Sequence, residues 1–324
     1  MDIDSYLLEV REVVAETADA SSIVFEVPAD AADVFAFRPG QFLTVGVPSD
    51  RTGLAARCYS ICTPPGSPLT VTVKRTVDGY ASNWLNSELR PGDTLRVLPP
   101  SGIFTPKDWS ADLLLFAGGS GITPVMSIIR TAMAQHSNRV VLFYANRDES
   151  SVIFASALAA LAAEHPDRLQ VFHWLESVRG LPSEDQLREF AAAYSTRTSF
   201  CCGPAPYMLA VSNSLRALDF PRDRRHRGEV RLARRQPVRR RGGGVGCAGR
   251  HRVRRRRGRG RGRCTGRALG TREGRGRARR RGTRLRRLAA RDEAAGLPGV
   301  EGGQGAVLLP RGRVLRLRHP PDLR

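Results

Sequence analysis

The chain changes character near Arg222, and that break constrains its fold more than any motif does. From residue 223 to 324 there are 34 Arg, no Lys, seven acidic residues and no Phe, Trp or Tyr. The few Leu and Val in this stretch fall among Arg and Gly without a period of 2 or 3.6, so they outline neither a strand nor a helix face. Such a segment cannot bury enough apolar surface to offset the entropy of ordering it, and it is expected to be a disordered Arg/Gly-rich tail. Residues 1–222 hold the other 18 basic and 24 acidic residues, so the formal charge of +21 is a property of the tail alone. A core must come from residues 1–222.

Within that body two rhythms follow one another. Short β-branched runs at Leu7–Val14, Ser22–Val27, Gln41–Val47, Arg57–Cys62, Leu69–Arg75 and Thr94–Leu98 are separated by Pro-Gly punctuation, with one short helix at Ala81–Ser87. This pattern predicts a six-stranded antiparallel barrel over residues 1–106. After Pro106 strands and helices alternate: strands at Leu113–Ala117, Val140–Tyr144, Leu169–Trp174 and Ser199–Cys202, helices at Pro124–Gln135, Val152–Glu164, Glu184–Ala193 and Pro206–Leu218. Alternation of this kind predicts a parallel α/β domain over residues 107–222, with its ligand at the carboxyl ends of the strands.

Met1–Val10 is acidic and lacks the basic and apolar segments of a secretion signal, and no apolar run has membrane-spanning length. A soluble, cytoplasmic protein is expected. The six cysteines, Cys58, Cys62, Cys201, Cys202, Cys247 and Cys264, make no zinc or iron-sulfur spacing, so free thiols and no metal are expected.

Four short stretches carry chemistry. Strand Leu113–Ala117 runs straight into Gly118-Gly119-Ser120-Gly121-Ile122-Thr123-Pro124 and a helix. Glycines let the backbone turn tightly against a pyrophosphate, and Pro in the first helical turn leaves the other amides facing the anion. Alone, such a turn is as often plain turn chemistry. Cys201-Cys202-Gly203-Pro204 closes the last strand, where a nicotinamide bound at the barrel interface would lie; by itself it could be a buried Cys and a β-turn. Arg57-Cys58-Tyr59-Ser60 places an aromatic and a hydroxyl on a barrel strand, able to pack on a flavin ring and hydrogen-bond it. Gly79 and Ser82, in Gly79-Tyr80-Ala81-Ser82-Asn83-Trp84-Leu85, stand at a helix start that can receive a second pyrophosphate, with Arg57 as counter-charge.

This order of motifs resembles the ferredoxin-NADP reductase superfamily, over nearly all of residues 5–222. The stretches RCYSI, TVTVKRTVDGYASNWL, AGGSGITPVMSI, YANRDESSVIF and HWLESVRGLPS are most similar to reductase components of 3-ketosteroid 9-alpha-hydroxylases, with the phenylacetyl-CoA epoxidase reductases as near relatives. The resemblance implies FAD and either NADH or NADPH as cofactors. It implies that Arg57, Tyr59 and Ser60 hold the flavin, that Val73 and Lys74 line its far side and ribityl chain, and that Gly79, Ala81 and Ser82 meet its diphosphate. It further implies that Gly119, Ser120, Gly121, Ile122 and Thr123 face the nicotinamide nucleotide's diphosphate, that Cys202, Gly203 and Pro204 face the nicotinamide, and that Asn146 and Arg147 meet the adenosine ribose. Tyr59, Ser60 and Cys202 are then the residues beside the reacting rings. An Arg at 147 could accept a 2′-phosphate, yet NADH users carry similar residues, so the choice of dinucleotide stays open. The implied chemistry is hydride transfer to flavin N5 and single electrons onward to an iron-sulfur acceptor in a terminal oxygenase system, with no acid or base of the chain required.

The resemblance also implies a strand like His-x-Glu-x-Phe after the sheet and then a [2Fe-2S] domain with Cys-x4-Cys-x2-Cys, whose ligands are absent from the chain as translated. Codons for Arg227–Val238 can be chosen so that the next frame begins EVKFVSLGGNPF. Codons for Ala306–His319 likewise permit PFSCREGECSACAT, with its cysteines across the Leu309, Val314 and Leu317 codons. Two such matches, in family order and in one frame, point to a frameshift near Arg224–His226, so that residues 223–324 are an out-of-frame ferredoxin domain. That shift is expected to remove the strand after Leu218 and leave a bare sheet edge. The rival reading is a genuine Arg-rich tail that binds nucleic acid through salt-dependent electrostatics, which the lack of Lys and of stacking aromatics argues against. A third is a flavin-binding module that has lost electron transfer.

Overall fold

The computed structural model describes residues 5–50 and 52–228, and its two sheets follow the two rhythms of the sequence. The expectations for the Arg-rich stretch beyond Gly228, including Cys247 and Cys264, lie outside the described residues. The first sheet contains β1 (Tyr6–Thr17), β2 (Ala20–Glu26), β3 (Phe42–Ser49), β4 (Gly53–Ser60), β5 (Thr70–Lys74) and β6 (Thr94–Ser101), with helix α1 (Tyr80–Ser87) after β5. Its order is β4-β3-β6-β1-β2-β5, every pair antiparallel. The two edges meet at a bridge between Ile61 and Val71, so the sheet curls back on itself as the predicted barrel requires. Along β1, Leu8 and Val10 are buried while Leu7, Glu9 and Arg11 face out, the period-2 pattern of a sheet with one wet face. Inward-facing Leu43, Val45, Val47, Val71, Val73, Leu95 and Val97 complete this core, and α1 plugs it with Ala81 and Leu85.

The second sheet contains β7 (Leu113–Gly118), β8 (Val140–Asn146), β9 (Leu169–Leu175), β10 (Thr198–Cys202) and β11 (Arg225–Arg227) in the order β11-β10-β7-β8-β9, all parallel. Helices α2 (Ile122–Gln135), α3 (Ala155–Glu164), α4 (Glu176–Arg179), α5 (Glu184–Ala192) and α6 (Ala205–Ala217) cover it. Both faces are dry, which is why β7 reads as an unbroken apolar run. Leu113, Leu115 and Ala117 face α2 and α3, whereas Leu114 and Phe116 pack with residues of α5 and α6. Two barrel residues, Ala20 and Cys62, are buried in the α2 side of this core, and Ser127 Oγ donates to Thr63 O at 2.7 Å.

Several elements differ from the sequence expectation: β4 begins at Gly53 rather than Arg57, and the short helix α4 has no counterpart in it. Helix α3 begins at Ala155 rather than Val152, because Asp148 caps a single 3-10 turn at Glu149–Ser151 and Phe154 then takes a left-handed φ of 63°. The strand expected to be lost after Leu218 is present in short form as β11, whose register pairs Ser199 with Arg225 and Cys201 with Arg227. Backbone groups alone make that ladder, and His226 stacks on Phe200 at 4.4 Å, so β10 has a neighbour whatever the side chains beyond it. Among the described residues no helix is long and apolar enough to cross a membrane, and no cluster of His, Cys, Asp and Glu could hold a metal ion.

Candidate active site

The sheet order fixes where a ligand can enter. From β7 the chain steps outward to β8 and β9, then crosses back to β10 on the other side of β7. The loops after β7 and β10 therefore leave toward opposite faces and open a crevice at their carboxyl ends. Gly119–Gly121 forms a single 3-10 turn there, and α2 starts directly from it. A β-carbon on Gly121 would fall on the Cys202 carbonyl and the Gly203 nitrogen, so this glycine lets two backbones touch. Gly119 differs: its φ is +51° and a β-carbon there would meet only open space. Thr123 Oγ1 donates to Ser120 O at 3.1 Å, which pins the turn, and both Ile122 and Thr123 are buried. Cys202, Gly203 and Pro204 stand directly across the crevice, with Pro204 opening α6.

On the barrel side, β4 carries Arg57, Tyr59 and Ser60 opposite Val45, Leu43 and Phe42 of β3. Arg57 is exposed and Tyr59 half-buried. Burial pushes the Tyr59 phenol up to about 12, against a smaller opposing pull from Arg57, so it stays neutral over the physiological range. Ser82 Oγ donates to Gly79 O and contacts Thr76 Oγ1, both at 3.1 Å, closing the turn before α1. The first helical bond runs from Asn83 N to Gly79 O, so the amides of Tyr80, Ala81 and Ser82 precede it and are the ones available to an anion. Val73 is buried in the barrel core, and its carbonyl accepts from Asn86 Nδ2 at 3.2 Å. Lys74 is half-buried and pairs with Asp19 at 3.5 Å.

The sequence misses a cleft of about 820 Å³ between the β3–β4 hairpin and α1, walled by Arg57, Asp50, Asp78, Tyr80, Trp84 and Glu88. Tyr80 Oη donates to Pro48 O at 2.7 Å and so ties the hairpin to the helix. An exposed aromatic beside the Gly79 turn is the one local signal that could have flagged it.

The two rims meet where β5 lies beside the Gly119–Gly121 turn. At the end of β8, Asn146 is 7% exposed, and apart from an approach to the Tyr144 hydroxyl its amide group makes no hydrogen bond. A buried amide left so costs roughly 1–3 kcal/mol unless something supplies the bonds. Together with the open space at Gly119 and the amides before Asn83, this fits polar, phosphate-bearing cofactors at both rims. Arg147, next in the chain, is 66% exposed and lies 3.6 Å from Asp19.

The cysteines here are quiet. Burial pushes the Cys62 and Cys202 thiols up to about 11, and Cys201 higher still. Their neutral forms stabilise the fold fully below the ordinary thiol value of 9, and that contribution is lost as pH rises through about 11. At pH 8 a soluble thiol reagent should modify half-buried Cys58 well before Cys62, Cys201 or Cys202. Peptide mapping of the labelled protein checks this, and early labelling of Cys202 would contradict a neutral thiol in the crevice.

Comparison with known proteins agrees with this geometry. Residues 115–213 match the oxidoreductase NAD-binding domain family. The chain is 56% identical over 224 residues to the ferredoxin reductase component of 3-ketosteroid-9-alpha-monooxygenase from Rhodococcus rhodochrous, covering 68% of this chain and 64% of that one. It is 35% identical over 231 residues to one of the subunits of the 1,2-phenylacetyl-CoA epoxidase from Escherichia coli, covering 66% and 64%. Phthalate dioxygenase reductase, a modular structure for electron transfer from pyridine nucleotides to [2Fe-2S], superposes with a TM-score of 0.59 at 25% identity, covering 69% of this chain and 67% of that one. Over this matched span the chain belongs to the ferredoxin reductase family, whose members join an FAD-binding barrel to an NAD-binding α/β domain. It spans 64% of the length of both curated relatives.

Proposed function

We propose that the protein is the NAD(P)H-oxidising flavoprotein component of an oxygenase system, serving a 3-ketosteroid 9-alpha-hydroxylase, with the oxygenase's iron-sulfur centre as its partner rather than a membrane or a nucleic acid. A cytoplasmic location accompanies that reading. The observation that carries it is the apposition of two phosphate-ready rims, the Gly79–Ser82 turn on the barrel and the switch-point crevice between β7 and β10, in one sheet-to-barrel arrangement. FAD supplies the two-electron to one-electron conversion when bound. The chain's own residues bind and orient. Arg57 lies beside the cleft that would take the adenylate half, and neutral Tyr59 offers an aromatic face with Ser60 next to it as hydrogen-bonding hydroxyl. Val73, behind Lys74, is the packing support for that rim. Gly119, Ser120 and the start of α2 present amides to the second diphosphate. Asn146 offers its amide to a ribose, and Cys202, Gly203 and Pro204 wall the nicotinamide from water.

The domain division follows: residues 1–106 hold flavin, 107–222 hold the dinucleotide, and 223–324 stand where a [2Fe-2S] domain belongs, read out of frame. Support for the last point is that homology at 56% identity covers only 64% of the relative.

Purified protein should be yellow, retain FAD and reduce ferricyanide with NADH or NADPH; apoprotein that takes up no flavin on reconstitution would sink the reading. Arg57→Ala should weaken FAD retention by about 1–3 kcal/mol, the range for a charge-assisted contact, measured by flavin release on dilution. Unchanged retention would remove Arg57 from the site.

A further inference from the structure

Asp19 sits in the two-residue turn between β1 and β2, with no motif around it. It nonetheless touches both halves of the site. One carboxylate oxygen lies 3.5 Å from Lys74 Nζ and 3.6 Å from Arg147 Nη2, and the other accepts from Thr17 Oγ1 at 2.8 Å. Its carbonyl accepts from Arg75 N at 2.7 Å, and the next residue, Ala20, is buried where barrel and α/β domain pack together. The carboxylate is therefore held in place from its backbone, its neighbour and its second oxygen. That separates it from an exposed ion pair of two freely moving side chains.

Arg147 directly follows β8, the strand after the Gly-rich turn. In dinucleotide folds the end of that strand is where the ribose 2′ position is read: a carboxylate there suits a hydroxyl, and an arginine suits a 2′-phosphate. Here the arginine is present but already engaged. Asp19 approaches it from the barrel at 3.6 Å, while the neighbouring carboxyl of Asp148 is held below its ordinary value chiefly by Ser150 and Ser151, with Arg147 the smallest contributor. A doubly charged 2′-phosphate reaching Arg147 would have to displace Asp19 or lie against it, whereas a ribose diol meets no such repulsion.

We propose that Asp19, a barrel residue, is the specificity determinant that sets the nucleotide site against a 2′-phosphate by occupying Arg147. This rests on the α/β domain being the dinucleotide site, as put forward above. Attraction for the phosphate is present in the arginine and is cancelled from the other domain.

Calorimetric titration of the full chain with adenosine 5′-monophosphate and with its 2′-phosphorylated form isolates the one group that matters. Wild type should bind the 2′-phosphorylated form more weakly. Asp19→Asn, which keeps size and the Thr17 contact, should strengthen that form about tenfold while changing the monophosphate less than about twofold. Arg147→Gln added to Asp19→Asn should remove the gain, because the gain runs through Arg147. Thr17→Val, which lets the carboxylate swing, should give a smaller gain in the same direction and decides the matter if Asp19→Asn does not fold. Equal changes for both nucleotides, no change, or a gain that survives Arg147→Gln would overturn the assignment. A wild type that binds neither nucleotide would overturn the dinucleotide reading itself, a different failure from an unchanged ratio.

Discussion

Gly121→Ala is expected to cost about 2–3 kcal/mol of stability, the upper part of the range for overpacking, and to abolish adenine nucleotide binding. The added methyl has no flexible side chain to push aside. It would land on the carbonyl of Cys202, the last residue of the parallel ladder between β7 and β10, and on the adjoining Gly203 amide. Relief requires the two loops to part, and that widens the crevice whose floor they form. For a body of this size the melting temperature should fall by about 4–12 °C. Gly119→Ala is the matched comparison. Its cost is confined to a positive φ in open space, about 1 kcal/mol, so it should fold nearly as well while crowding the ligand side of the turn. Thermal melts and nucleotide titration of the pair check this, and equal stability of the two variants would show that the loops are not in contact as described.

Restoring the reading frame near Arg224–His226 with a single base is expected to change the protein from a flavoprotein without a cluster to one with two iron atoms and the visible absorption of a [2Fe-2S] centre. The cysteines at 247 and 264 lie 17 residues apart in sequence, with no third cysteine between or beside them, so the chain as written cannot make the Cys-x4-Cys-x2-Cys set. Iron and acid-labile sulfide analysis of both forms is decisive. Iron near one or more per chain in the unrepaired form would contradict the out-of-frame account, as would a repaired form that gains none. Electron delivery to the oxygenase should be poor before repair and restored after it.

Much of the fold was legible because its signals are local. The unbroken apolar strand of β7, its run into Gly118–Gly121 and the Pro-Gly spacing of the barrel each follow from backbone chemistry acting within a few residues. Element ends were less legible, since the delayed start of α3 depends on the Asp148 cap and on left-handed Phe154. The site divides the same way. Arg57, Tyr59, the Gly79 turn and the Gly119 turn enter the proposed site from residue type and order alone. The packing role of Gly121 could not, because its partner Cys202 arrives from 81 positions away through the crossing from β9 to β10. Asp19 was invisible for the same reason: its partners Lys74 and Arg147 come from β5 and the end of β8.

The short strand β11 bears on how such a chain is made. Every other strand of the nucleotide-binding sheet is complete by Cys202, and its last helix ends at Ala217. What remains to be closed is one edge, and a parallel edge is closed by amides and carbonyls that all non-proline residues carry alike. The described ladder runs from Arg225 to Arg227, and Gly228 N adds a further bond to Cys201 O at 2.8 Å. The edge strand therefore draws on its backbone rather than on the arginine side chains at 225 and 227, so residue types there can change widely without altering the hydrogen-bonding pattern that closes β10.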